Sequence, residues 1–136
     1  MIEGLEVCSL EVKRDDRGWL AEVLRAANGP RSVSLRQIYI TVGNAGKTKG
    51  KHYHTRKTEW FCVASGEAKL SLRDTRTGEE QSILMGESNM VTVQIPPHVA
   101  HAITNTGDTP MYLIVVVNEE FNPQDPDTFP FSFPGL

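Results

Sequence analysis

The chain has 136 residues, 39% apolar and 23% charged, with net charge −3 and a pI near 5.8. This is the composition of one globular domain over residues 1–136, long enough for a core and too short for two ordinary domains. The mildly acidic balance offers no general attraction to nucleic acid or an anionic membrane. No run approaches the roughly 18 apolar residues of a membrane span, and the opening MIEGLEVCSLEVKRDDRG lacks a signal-peptide pattern, so the cytoplasm is the expected compartment. Cys8 and Cys62 lie in apolar stretches, which favours buried thiols over a disulfide.

Gly and Pro punctuate short β-rich runs along the whole chain, and no stretch shows a helical period. Strands are predicted over residues 5–12, 19–24, 34–42, 49–54, 58–65, 68–73, 81–85, 91–95, 98–105 and 111–118. Turn sequences separate several of them: Ser65-Gly66-Glu67, residues 74–78 and residues 105–110. Many short strands joined by such turns point to an all-β sandwich or closed barrel. The run YLIVVV, residues 112–117, is apolar throughout and is predicted to be buried on both faces. After it, residues 118–136 form a Pro- and Phe-rich tail that cannot be a central strand, because proline donates no ladder hydrogen bond. Phe121, Phe129, Phe131 and Phe133 are expected to pin this tail across the barrel or a partner subunit.

The candidate chemistry sits in GKTKGKHYHTRKTEWFCVASG, residues 46–66. Side chains alternate faces along a strand, so His52 and His54 point the same way, as two imidazoles on one ion require. Glu59 follows a short polar link and shares a strand face with Phe61 and Val63. A carboxylate in register with core residues is costly unless a charge, hydrogen bond or metal compensates it. In IPPHVAHAITN, residues 95–105, His101 shares a face with Ile103 and Asn105, and His98 stands three residues earlier. These residues match the first cupin motif without a gap at Gly46, His52, His54, Glu59 and Gly66, and resemble the second at Pro96, His101 and Asn105. His98 stands where the second motif has glycine, and Met90 replaces its upstream glycine. The resemblance implies a cupin double-stranded β-helix, a jelly-roll barrel, with His52, His54, Glu59 and His101 on one divalent transition metal. Three imidazoles and one carboxylate suit zinc, manganese, nickel, iron or copper, and ligand type alone does not choose between them.

A second resemblance covers most of the chain. DDRGWLAEVLR (15–25), RQIYIT with KGKHYH (36–41 and 49–54), SGEAKLSLRDTRTGE (65–79) and IPPHVAH (95–101) resemble the dTDP-4-keto-rhamnose 3,5-epimerase superfamily. HYHTRKTEWFCVASGEA, IPPHVAHAITNTG and the tail NEEFNPQDPDTF are closer still to the C-terminal cupin domain of bifunctional capsular-polysaccharide enzymes. That resemblance implies zinc as the metal, an epimerase or isomerase of a nucleotide-linked 4-keto-6-deoxy sugar, a homodimer, and a reductase elsewhere, since the chain has no Gly-rich dinucleotide turn. In the metal-free rhamnose epimerases the residue matching His52 is the catalytic base and a late-strand tyrosine is the acid. Here His52 is either a ligand or a free base, and only Tyr112 stands near the late strand. The acid and base are therefore sought among His98, Lys51, Tyr53 and Tyr112. A cluster of Lys47, Lys49, Lys51, Arg56 and Lys57 is either a diphosphate-binding rim or a solvated face. Lys49, Arg56 and Lys57, with Gln37 and Asn105, make up the expected substrate-contacting set. Two other readings stay open: a metal cupin of another class, such as a dioxygenase, and a non-catalytic sugar-binding module.

Overall fold

The computed structural model describes residues 1–25 and 34–136. Among the described residues there are twelve strands: β1 (Glu6–Ser9), β2 (Val12–Asp15), β3 (Gly18–Ala21), β4 (Gln37–Gly43), β5 (Thr48–Tyr53), β6 (Glu59–Ser65), β7 (Glu67–Asp74), β8 (Glu80–Gly86), β9 (Val91–Ile95), β10 (Val99–Asn105), β11 (Met111–Val117) and β12 (Phe129–Pro130). All pairings are antiparallel. One five-stranded sheet runs β1-β9-β6-β11-β4 and a second runs β12-β5-β10-β7-β8, while β2 and β3 form a separate hairpin. Neighbours distant in sequence, closed into two facing sheets, make the all-β jelly roll expected of a cupin.

The core lies between the sheets. Phe61, Val63, Val93, Leu113, Val115 and Val117 come from the first, and Leu70, Leu72, Met85, Val99 and Ile103 from the second. Each strand contributes alternate residues, which is why the period of two in the sequence was readable.

Two details depart from the predictions. The first predicted strand divides: the Leu10 amide makes the last bond to Met90 O, and the chain then leaves the sheet to form β2. YLIVVV is not buried on both faces: Leu113, Val115, Val116 and Val117 are buried, but Tyr112 is 45% exposed and Ile114 only half-buried. The tail supplies β12, a two-residue pairing on the edge of β5 that agrees with the exclusion of prolines from central strands. Cys62 is buried as expected, its Sγ 3.9 Å from Met90 Sδ, and Cys8 is half-buried on β1.

Candidate metal centre

The geometry of the site is set by one bulge and one strand start. His52 on β5 lies directly opposite His101 on β10, and the register slips between His101 and Ala102, so Lys51 is the extra residue. Gly50 has φ +89° at this slip, and a Cβ there would meet His101 O at 2.9 Å, so the close approach requires glycine. Glu59 opens β6 in the facing sheet, beside Ile95 and Val117. The ligating atoms of His52, His54, Glu59 and His101 all lie within 4.8 Å of one another. The structure therefore brings together the four residues predicted as one group, three from the β5–β10 side and one from the other sheet.

The hydrogen bonds define which ring nitrogens face inward. His54 Nδ1 donates to Asp127 O at 2.7 Å and His101 Nδ1 donates to Val99 O at 3.1 Å. Both Nε2 lone pairs are then turned on the same carboxylate oxygen, Glu59 Oε1, at 2.9 and 3.1 Å. A proton on His54 Nε2 satisfies that contact, yet it leaves His101 Nε2, buried and without a hydrogen-bond partner. Glu59 is 4% exposed and His101 1%, so water does not relieve the conflict. A cation among them can. The donor set of imidazoles and one carboxylate suits a first-row transition ion, and the outward Nδ1–H···O=C bonds are the usual means of orienting such ligands.

Burial alone would raise the Glu59 carboxyl, but its contacts with His101 and His54 outweigh it and hold the group well below the usual carboxylate range. Burial lowers His54, yet the Glu59 carboxylate more than offsets that and raises it. His52 is pushed down to about 4, first by burial and then by the neighbouring His101 and His54. A neutral imidazole with so weak a proton affinity is suited to a ligand and poorly suited to a general base.

The other predicted residues fall in different places. His98 adopts φ +68°, the left-handed conformation for which the motif uses glycine, and its amide donates to His54 O at 2.7 Å. Lys51, also at positive φ, donates to Leu136 O at 2.6 Å. Tyr53 points to the opposite face from His52 and stacks on Phe129, with ring centroids 5.4 Å apart. Tyr112 pairs with Val42 and Ser65, at the far end of β11 from Val117, which neighbours Glu59. The structure thus does not bring Tyr53 or Tyr112 to the ligand group.

Among the substrate-contact residues, Asn105 is buried at the distant end of β10, donating to Gly43 O and Thr109 O and accepting from the Gly107 amide. That is a turn-holding role. Arg56 pairs with Glu119 and Asp125, and Lys57 is buried with its Nζ on Pro126 O. The tail therefore takes up most of the predicted basic rim. Gln37 lies in the same cross-strand row as Val117 and Glu59, and its Oε1 accepts from the Phe121 amide. Lys49 lies opposite Ile103, on the site's face, with Nζ on Val42 O at 3.1 Å.

Two residues at the site were not singled out from sequence. Tyr39 follows Gln37 on the inner face of β4, in one row with Val115 and Phe61. Burial of its phenol, and then the Glu59 charge beside it, push it well above the ordinary tyrosine range, so it stays protonated. The alternation Gln37-x-Tyr39 in RQIYIT was the available signal. Asp127, whose carbonyl holds His54, gave only the faint signal of an Asp between Pro126 and Thr128 in a tail.

Comparison with known proteins agrees with this architecture. The chain is 32% identical over 132 residues to the spore coat polysaccharide biosynthesis protein SpsL of Bacillus subtilis, covering 93% of this chain and 87% of that protein. It is 33% identical over 118 residues to a UDP-2-acetamido-2,6-beta-L-arabino-hexul-4-ose reductase of Pseudomonas aeruginosa, covering 87% of this chain but 30% of the reductase. The fold superposes on a dTDP sugar isomerase from Desulfovibrio desulfuricans G20 with a TM-score of 0.86 at 22% identity, over 98% of this chain and 87% of the other. The Polysaccharide biosynthesis C-terminal domain family matches residues 13–129. Since that match takes in β5, β6 and β10 with their four candidate ligands, and the tail as far as Phe129, the chain belongs to this family.

Proposed function

We propose that this protein is a metal-dependent epimerase or isomerase of a nucleotide-linked 4-keto-6-deoxy sugar in polysaccharide biosynthesis. The observation that carries the metal is the pair of Nε2 lone pairs turned on one Glu59 oxygen, with His101 Nε2 otherwise orphaned. The family and the isomerase-like fold support the reaction class. His52, His54, Glu59 and His101 would hold the ion, with zinc the first candidate. When bound, a divalent cation supplies positive charge that lowers the cost of the enolate formed by removing a proton α to a ketone.

The chain's own residues would handle the protons and the substrate. Tyr39, beside Glu59 and partly open to solvent, would be the proton-transferring group. Gln37 and Lys49 border the group on the same inner face and would orient the sugar. The match to part of a reductase of a UDP-linked keto sugar supports a reductase as the next enzyme on the product. The outer face of β4, where Ile38 and Ile40 are 68% and 67% exposed, supports a homodimer.

Incubation with UDP- and dTDP-linked 4-keto-6-deoxyhexoses in heavy water should place deuterium at C3 or C5. Absence of label from all of them would overturn the catalytic reading. Binding without catalysis is the second reading, favoured by the distance of Tyr112 from the site and the tail's use of Arg56 and Lys57. Saturable nucleotide-sugar binding with no exchange would establish it.

A further inference from the structure

The link between His54 and Glu59 is held from the tail. Asp127, 3% exposed, sends its carboxylate against three consecutive residues of that link. Oδ1 accepts from the Thr55 amide at 3.0 Å and the Thr55 hydroxyl at 2.5 Å, and Oδ2 accepts from the amides of Arg56 at 2.8 Å and Lys57 at 3.2 Å. The carbonyl of the same residue accepts His54 Nδ1–H, from a position 73 residues away in sequence. Asp127 sits at φ +48°, which Asp and Asn tolerate better than other side chains. It thereby touches the ligand ring with its backbone and the ligand-spacing link with its side chain.

We propose that Asp127 is a positioning residue of the metal centre. It fixes His54 as the Nδ1–H tautomer and sets the reach from His54 to Glu59, so that metal affinity depends on a docked tail. This rests on the metal reading above. The physical case has two parts. A hydrogen bond to the non-ligating nitrogen decides which lone pair an imidazole presents. Removing the carboxylate leaves the amides of Thr55, Arg56 and Lys57 without their acceptor, and such a link does not keep its conformation. Of the phenylalanines expected to pin the tail, Phe121 is 58% exposed, while Phe129 stacks on Tyr53 and Phe131 and Phe133 are half-buried.

The test uses the full chain and zinc, measured by competition with a chromophoric chelator. Asp127→Ala should lower zinc affinity by about 10- to 100-fold, the range for lost outer-shell partners. Asp127→Asn keeps the backbone conformation and one acceptor oxygen, and should lose about tenfold, the low end of that range. Asp125→Asn, which breaks only an exposed ion pair with Arg56, should leave the affinity unchanged. A second readout is the nitrogen-15 spectrum of the His54 ring in metal-free protein: a proton held on Nδ1 in the unsubstituted chain, and partial loss of that Nδ1 proton in Asp127→Ala. Unchanged zinc affinity and an unchanged tautomer in both Asp127 variants would overturn the proposal, and if Asp127→Ala fails to fold, Asp127→Asn decides. A parent chain that binds no zinc overturns the metal reading instead, and the tautomer comparison then still decides the role of Asp127.

Discussion

The two five-stranded sheets share one core but treat their outer surfaces differently. On the β5–β10–β7–β8 sheet much of the outward row is small or polar, Leu84 opposite Lys69 being the exposed apolar residue of β8: Thr48 bonds to Thr104, and Lys69, Ser71 and Arg73 alternate with buried Ala68, Leu70 and Leu72. On the β6–β11–β4 side the outward row runs Trp60, Cys62, Ile114, Val116, Ile38, Ile40 and Val42. Its Trp60 end is closed, with Val23 and Leu24 lying over Trp60 and Thr92, while Ile38 and Ile40 remain open among the described residues. One sheet presents a mainly polar outer face and the other a mainly apolar one. The candidate metal centre spans the gap, with its histidines on the polar sheet's side and Glu59 from the apolar one.

Four variants probe that division. The largest effect is expected from Tyr39→Phe on the apolar sheet: C3 or C5 hydrogen exchange should fall by roughly 10²- to 10⁴-fold while zinc affinity is unchanged. Unaltered exchange would remove Tyr39 from the chemistry. Glu59→Gln takes away the only candidate ligand from that sheet and should weaken zinc binding by about a hundredfold or more, read by chelator competition. If affinity survives, the histidines alone hold the ion. Ile38→Glu with Ile40→Glu should weaken self-association at least about tenfold in sedimentation velocity, because each isoleucine loses its burial between subunits. A parent chain that sediments as a monomer would refute the dimer.

The smallest effect belongs to the polar sheet. Asp74, at the end of β7, would be raised by burial, but hydrogen bonds from the Arg76 amide and side chain hold its carboxyl below the usual range. A carboxyl depressed in the folded state contributes stability above its unfolded value, near 4, and loses it as pH falls through the folded value. Asp74→Asn should therefore cost about 1 kcal/mol at pH 7 in urea unfolding, with the gap narrowing below pH 4. An equal gap at pH 7 and pH 3 would show that the charge is irrelevant there.

Local chemistry carried much of this in the sequence. The period of two placed the strands, and Ser65-Gly66-Glu67 marked the β6–β7 turn, where Gly66 takes φ +88°. The His52-x-His54 parity and the in-register Glu59 grouped the candidate ligands because neighbouring residues obey strand geometry directly. Even the His98 anomaly was visible, since a motif glycine marks a positive φ that His98 does adopt.

What only the tertiary structure decided depends on long-range contacts. Strand parity predicts which way Tyr112 points but not that it lies at the wrong end of β11. Composition shows a basic cluster but not that Glu119, Asp125 and Pro126 take up Arg56 and Lys57. The tail's phenylalanines are legible in the sequence because apolar burial is the usual anchor. A single carboxylate that closes four hydrogen bonds leaves no periodic trace, because its partners lie about 70 residues upstream and three of the four are backbone amides that every sequence possesses.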